Sequence, residues 1–196
     1  MTAEQVKVKK RKVAWGITGA GDKIAEFIDV MTQVKKEHEA TVDIHVFISK
    51  AGETVLKFYS LETAVRQSFE KVQVEVNANA PFLAAWMQNR KYEFLLIAPA
   101  TSNTVAKIAN GIGDTMITNA AIMSLKGFVP VYIVPTDYEE GVVYTKLPNG
   151  KKMKLRIRKE EVEQVKKLES MEDVHVLYGP RKIPDAFREA LKQTAN

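Results

Sequence analysis

Apolar and polar positions follow two alternating rhythms over most of this chain. Lys12–Ile17 (KVAWGI) is a short apolar run that ends in the glycine-rich stretch GITGAGDK, and Ile24, Phe27, Ile28, Met31 and Val34 then recur at helical spacing. Val42–Ile48 alternates like a strand and stops at Ser49-Lys50-Ala51-Gly52. The pattern predicts a helical stretch over Glu53–Phe69 with a break near Ser60, a strand over Val72–Val76 and a short helix over Phe82–Gln88 after Pro81. Glu93–Ala98 is almost continuously apolar, as a strand buried on both faces of a parallel sheet must be. It leads into Pro99-Ala100-Thr101-Ser102-Asn103-Thr104 and a helix that Gly111–Gly113 breaks; a further helix over Asp114–Leu125 and a strand over Val129–Val134 follow. Strands alternating with helices predict an α/β fold: a three-layer, doubly wound parallel sheet of the flavodoxin/Rossmann-like kind.

The last third changes rhythm. Val142–Leu147 and Met153–Ile157 are strand-like runs joined by Pro148-Asn149-Gly150, and Asn-Gly is a strong hairpin signal. This predicts a β-hairpin excursion, followed by a charged helix over Lys159–Ser170, a strand over Val174–Leu177 and a terminal helix over Pro184–Lys192. With no repeat, low-complexity segment or linker in its 196 residues, the chain reads as a basic tail over 1–11 and one domain over 12–196.

Composition removes whole classes of function. Hydrophobic residues make up 45% and charged residues 27%, an ordinary globular balance. The absence of cysteine excludes a disulfide scaffold, a cysteine-ligated zinc or iron–sulfur site and a cysteine nucleophile. No apolar run approaches the roughly 20 residues that span a bilayer, and no signal-peptide core opens the chain, so it reads as cytoplasmic without a membrane partner. The net charge of +5 is uneven: Lys7, Lys9, Lys10, Arg11 and Lys12 stand against Glu4, and residues 151–167 carry eight Lys or Arg against three Glu. Neither segment interleaves aromatics as a nucleic-acid face does, so no nucleic-acid partner is expected. A solvated surface and an acidic protein partner both account for the basic segments.

In an open parallel sheet, ligands sit beyond the carboxyl ends of the strands, where amides and helix amino ends face outward. Three predicted strand ends carry small or hydroxyl-bearing residues: Gly16–Gly21, Ser49–Gly52 and Ala98–Thr104. Their convergence points to a phosphate-bearing ligand. The order Gly16-x-x-Gly19-x-Gly21 is not the dinucleotide G-x-G-x-x-G, the second strand ends in Ser49 in place of an acidic residue, and no GxxxxGK[ST] loop occurs. A mononucleotide phosphate fits better than a nicotinamide dinucleotide.

Ala98-Pro99-Ala100-Thr101-Ser102-Asn103-Thr104, with Lys107–Thr115 (KIANGIGDT) downstream, resembles the PASANT-type motif and the G-I-x-D segment of the FMN-binding flavoprotein superfamily. That superfamily holds the homo-oligomeric flavin-containing cysteine decarboxylases and the UbiX-type flavin prenyltransferases. Within it, WGITGAGDK, SKAGETVLKFY, NANAPFLAAW, YEFLLIAPATSNTVAKIA and FVPVYIVPTDYEEGVV are most similar to the archaeoflavoprotein and archaeal-type dihydromethanopterin reductase branch. The resemblance runs from Lys12 to about Pro184. It implies FMN at a subunit interface of a homo-oligomer, a trimer or an assembly of trimers. It also implies that Thr18, Gly19 and Ser49, with Gly16 in the same turn, hold the phosphate. Thr101, Asn103 and Thr104, following Ala98, Pro99 and Ala100, would line phosphate, ribityl chain and ring face, and Thr115, Ile117 and Thr118 the polar ring edge. The bland alternatives are that Thr18 is a turn residue and that Asn103 or Ser102 caps a helix. Trp15 reads as core, Trp86 as core or intersubunit packing, and His38 and His45 as surface positions.

The decarboxylase branch uses a histidine between the third strand and the PASANT-type motif. This chain has none between His45 and His175; the stretch reads Asn77-Ala78-Asn79-Ala80-Pro81, and the late region lacks the clamp cysteine. The prenyltransferase branch places an arginine where Asn119 stands. The resemblance therefore implies an FMN-dependent oxidoreductase, with Asn77 and Asn79 able to hydrogen-bond a substrate or the flavin edge without titrating. Without cysteine for a cluster of its own, it takes electrons from a ferredoxin-like donor; a dihydromethanopterin-type pterin is the expected acceptor. The alternatives are a flavin-binding oligomer without a dedicated substrate, a decarboxylase and a flavin prenyltransferase.

Overall fold

The computed structural model describes residues 10–193; the basic residues Lys7 and Lys9 lie outside them. Six strands, β1 (Arg11–Ile17), β2 (Val42–Ile48), β3 (Lys71–Val74), β4 (Leu95–Ala100), β5 (Val131–Pro135) and β8 (Val174–Val176), form one parallel sheet in the order β3-β2-β1-β4-β5-β8. The chain winds outward from β1 to β3, then crosses back beside β1 and winds the other way. The reversal falls between β1 and β4, where such sheets open a crevice at their carboxyl ends. The hairpin β6 (Gly141–Lys146) and β7 (Lys152–Ile157) stands apart as an antiparallel pair.

Alternation in the strands builds two cores. Val13, Trp15, Ile17, Ile44, Val46, Ile48, Leu96 and Val134 face helices α1 (Ile24–Glu37), α2 (Lys50–Phe58), α3 (Glu62–Ser68) and α8 (Ile183–Gln193). Ala14, Phe47, Leu95, Ile97, Val131 and Ile133 face α4 (Leu83–Gln88), α5 (Ser102–Ala109), α6 (Met116–Lys126) and α7 (Lys159–Glu169). Apolar side chains on both faces explain why the central strands read as unbroken hydrophobic runs. The helix pair α2/α3 breaks at Ser60, whose φ of 57° no helix accommodates. Among the described residues, no helix is long and apolar enough to cross a membrane.

Two expectations need correction. The fourth strand was expected to end at Ala98, but it continues through Pro99 and Ala100, all three buried, with a register shift between Ile97 and Ala100. Proline has no N–H for the ladder, so the strand bulges there instead of turning. His45 is not a surface residue. It is 7% exposed, with Nδ1 2.9 Å from the Tyr92 hydroxyl and Nε2 2.9 Å from Asp43 Oδ2 and 3.1 Å from Lys71 Nζ. Polar neighbours on strands β2 and β3 close over it, which alternation along β2 alone does not reveal.

Burial pushes the His45 imidazole below its ordinary pKa, only partly opposed by Asp43, and burial also lowers His38, whose Nε2 is enclosed without a hydrogen-bond partner. A histidine depressed in the folded state stabilises the fold above its unfolded pKa of about 6.5 and withdraws that support as pH falls below it. Asp43, lowered by Lys71 and His45 against the opposing effect of its burial, acts only near and below about pH 4 and leaves this window untouched. The melting temperature is therefore expected to fall between pH 7.5 and pH 5.5, and His45→Gln to shrink that fall. An equal fall in both proteins, followed by circular dichroism, would exclude His45 as a source.

Candidate functional site

The carboxyl ends of β1 and β4 are stapled by side chains where the ladder fails. Pro99 presents only a carbonyl, which accepts from Thr18 N at 3.3 Å and from the Thr18 hydroxyl at 2.8 Å. The same hydroxyl accepts from Thr101 N at 3.0 Å, and the Trp15 indole donates to Ala98 O at 2.7 Å. Thr18 is 2% exposed and gives its proton to Pro99, so its hydroxyl holds the two turns in register. Trp15 is core, as expected; Trp86 is half-buried against the α4–α7 side of the sheet.

Hydroxyls cap three of the helices that start here, α2, α5 and α6, whereas α1 has no side-chain cap. Ser49 Oγ accepts from Gly52 N at 2.9 Å, and Thr101 Oγ1 accepts from Thr104 N at 3.2 Å. Thr115 and Thr118 form a reciprocal capping box. The cap of α5 is Thr101, not Ser102 or Asn103: Ser102 donates to Asp137, and the exposed Asn103 side chain makes no hydrogen bond within the described chain. The backbone N–H groups of Gly19, Ala20, Gly21, Asp22, Lys23, Ser102 and Asn103 also donate to nothing among the described residues. These seven amides gather where the β1–α1 turn meets the start of α5, and such amides together with a helix amino end favour an anion.

Tight packing accounts for three glycines. A Cβ on Gly19 would lie 2.7 Å from Ala51 Cβ, one on Gly21 2.8 Å from the Tyr59 ring, and one on Gly52 2.6 Å from Ile17 O. The β1–α1 turn thus lies directly on α2. On the other side, Gly16 leaves an ordinary 3.4 Å to the buried Ile117 side chain.

A cleft of about 750 Å³ opens beside this turn, between Gly19–Lys23, Thr101–Asn103, the Thr136–Glu140 segment and the hairpin. Met153, Leu155 and Ile157 line it, while Lys152, Lys154 and Arg156 lie on the opposite hairpin face, as alternation along β7 predicts. Met153 is 39% and Leu155 42% exposed, because they border the cleft instead of a core. Tyr59 and Thr145 tie the hairpin to the body through Lys146 O and Asp22, both at 3.4 Å. Asp22, Asp137, Glu139, Glu140 and Glu161 line the cleft against Lys23 alone, so its far wall repels an anion.

The residues singled out in the sequence do converge. Gly16, Thr18, Gly19, Ser49, Ala98, Pro99, Ala100, Thr101, Asn103 and Thr104 surround the ends of β1, β2 and β4, and Thr115, Ile117 and Thr118 start the helix beneath Gly16. Of these, Gly19, Thr101 and Asn103 border the cleft, while Ala98, Pro99, Ala100, Ile117 and Thr118 are buried. Asn77 and Asn79 are already engaged, one within the turn and one with α6: Asn77 Oδ1 accepts from Asn79 N at 2.9 Å, and Asn79 Oδ1 accepts from Asn119 at 3.0 Å. Sequence reasoning passed over Asp137 and Tyr138, although they follow a predicted sheet strand at its carboxyl end. It also passed over Glu75, which directly follows β3 and which alternation alone reads as an ordinary strand position.

The flavoprotein family model matches residues 1–187. The chain is 47% identical over 172 residues to an uncharacterised protein of Methanocaldococcus jannaschii, covering 88% of this chain and 91% of that one. It is 31% identical to the dihydromethanopterin reductase (acceptor) of the same organism, over 90% of this chain and 95% of that one. Among solved structures, Burkholderia xenovorans DmrB in complex with FMN, described as a cubic protein cage for redox transfer, superposes with a TM-score of 0.79 at 29% identity, over 98% of this chain and 100% of that one. The chain belongs to the flavoprotein family.

Glycine at 52 is a steric requirement, because the atom opposing a Cβ is a backbone carbonyl of β1 that cannot yield. Gly52→Ala is expected to cost about 1–3 kcal/mol. Gly16→Ala, facing a side chain that can shift, should cost less; urea denaturation midpoints of the two variants test the order.

Proposed function

We propose that this chain is an FMN-dependent oxidoreductase that reduces a pterin of the dihydromethanopterin type with electrons from a ferredoxin-like donor. One observation carries the reading: an array of backbone amides without a partner among the described residues, at the strand-order reversal of a flavoprotein-family chain. They are neutral donors in a fixed array, which suits the phosphate of a mononucleotide, and the acidic far wall of the cleft keeps that phosphate at the array. Gly19, Thr101, Asn103 and Thr104 hold the phosphate end with Ser49 alongside, while Thr18 holds the turn in place. Thr115, Ile117 and Thr118 stand at the ring end, with Gly16, Ala98, Pro99 and Ala100 as the close-packed floor between them. Bound FMN supplies one- and two-electron transfer, and the protein supplies binding, orientation and exclusion of water. The carboxylates of the cleft accept hydrogen bonds, which matches the N–H-rich edge of a 2-amino-4-oxo pteridine. The working form is a homo-oligomer, in keeping with the cage described for DmrB.

The protein is expected to bind one FMN per chain without a covalent bond; a chain that refuses FMN, or takes only FAD or NAD, would overturn the reading. Asn103→Ala should weaken FMN roughly ten- to a hundredfold, the range for a lost hydrogen bond to a charged group, with stability unchanged because that side chain has no partner among the described residues. Ser49→Ala should weaken FMN and also cost about 1 kcal/mol of stability as a lost helix cap. Fluorescence titration with FMN beside thermal melts separates the two.

Donor docking is assigned to the outer hairpin face, where Lys146, Lys152, Lys154 and Arg156 surround the exposed Tyr144. A basic face steers an acidic partner chiefly through the association rate, and salt screens it once the Debye length falls below about 8–10 Å. Replacing Lys154 and Arg156 by Gln should slow flavin reduction by ferredoxin at low salt and leave reduction by dithionite unchanged. Identical ferredoxin rates across a salt series would remove the hairpin from the docking surface.

A further inference from the structure

Glu75 is a buried carboxylate that the reading above does not use. It is 9% exposed, its backbone N–H continues the β2–β3 pairing by donating to Ile48 O at 2.8 Å, and its two oxygens go to different helices. Oε2 accepts from Lys50 N at 3.0 Å, the first amide of α2, and Oε1 accepts from Met116 N at 2.8 Å, the first amide of α6. These are the amides that the caps Ser49 and Thr115 leave open, since Ser49 takes Gly52 N and Thr115 takes Thr118 N. Two helix amino ends aimed at one point repel, and a carboxylate between them attracts both. The Asn77–Ala80 turn that follows is itself fastened to α6, where Asn119 donates to Ala78 O and Asn79 Oδ1, each at 3.0 Å.

The two helices bonded to Glu75 start at the two ends of the FMN site. Ser49, beside Lys50, stands at the phosphate end, and Thr115, beside Met116, stands at the ring end. We propose that Glu75 is a positioning residue that sets the spacing between these two ends, so that one ligand can engage both at once. This rests on the FMN reading. A ligand that spans both ends gains from their fixed separation, whereas a fragment that touches one end does not. Glutamine cannot replace it, because its amide offers one acceptor and turns an NH₂ toward the other N–H. Aspartate keeps the charge but, one methylene shorter, cannot reach both amides.

The test titrates the flavin-free full-length chain, wild type, Glu75→Gln and Glu75→Asp, with FMN, riboflavin and inorganic phosphate, and melting temperatures establish which variants are folded. In the wild type, FMN is expected to bind far more tightly than either fragment. In a folded Glu75 variant, FMN should weaken tenfold or more while riboflavin and phosphate each change less than threefold, and the visible band of bound FMN should move back toward that of free flavin. Unchanged FMN affinity in a folded variant overturns the proposal, as does an equal loss for all three ligands, which would mark a general structural role. Should Gln not fold, Asp decides, since it keeps the charge between the helix ends. A wild type that does not bind FMN overturns the FMN reading itself, an outcome that the wild-type titration alone reveals.

Discussion

The Thr18 hydroxyl is the hinge of this structure. The sheet reverses its order between β1 and β4, whose pairing runs as far as Gly16 and Ile97 and stops short of Pro99, a residue with no N–H to give. Thr18 spans the gap by giving both its N–H and its hydroxyl proton to Pro99 O and by accepting Thr101 N. Because Thr101 caps α5, this one side chain sets the start of that helix against the β1–α1 turn. The amides of Gly19, Ala20, Gly21, Asp22, Lys23, Ser102 and Asn103 are left gathered as a result, without a partner among the described residues.

Around that hinge the charge is sorted. Glu75 already occupies the first amides of α2 and α6, whereas α5 and the β1–α1 turn keep theirs open. The facing cleft carries carboxylates on the segment after β5 and on α7, where Arg158 holds Glu161 below the usual carboxylate range. Among the described residues, an anion is therefore favoured at the open amides and disfavoured in the cleft beside them. The hairpin serves both sides of the arrangement. Met153 and Leu155 face the cleft, while Lys154 and Arg156 face solvent, because residues two apart on a strand share a face.

Legibility in the sequence follows the range of the interaction involved. Ser60 could be read as a break because helix periodicity lapses locally, and Asn149-Gly150 as a hairpin because a two-strand turn is a local event. Ser49 and Thr101 stood out because small and hydroxyl-bearing residues at strand ends are a local signal. Glu75, His45 and Asp137 did not, because each takes up a partner 25 to 47 residues away: Lys50 and Met116 for Glu75, Tyr92 for His45, Ser102 for Asp137. Glycines 19, 21 and 52 stood out as small residues at strand ends, whereas what demands them is the packing of α2 on β1 and its turn, through contact with Ala51, Tyr59 and Ile17.

The order of strands and helices, the double winding, the hairpin and the family were all legible before folding, since each rests on periodicity or on a contiguous motif. Which groups are spent and which remain open is settled by the folded chain. Thr18, a candidate ligand by its position, has given its proton to Pro99, while Asn103, a candidate cap, has no partner among the described residues. Whether a polar group is available depends on partners brought close by folding. A side chain's chemistry is written in the sequence, but its unsatisfied valence exists only once the chain has closed around it.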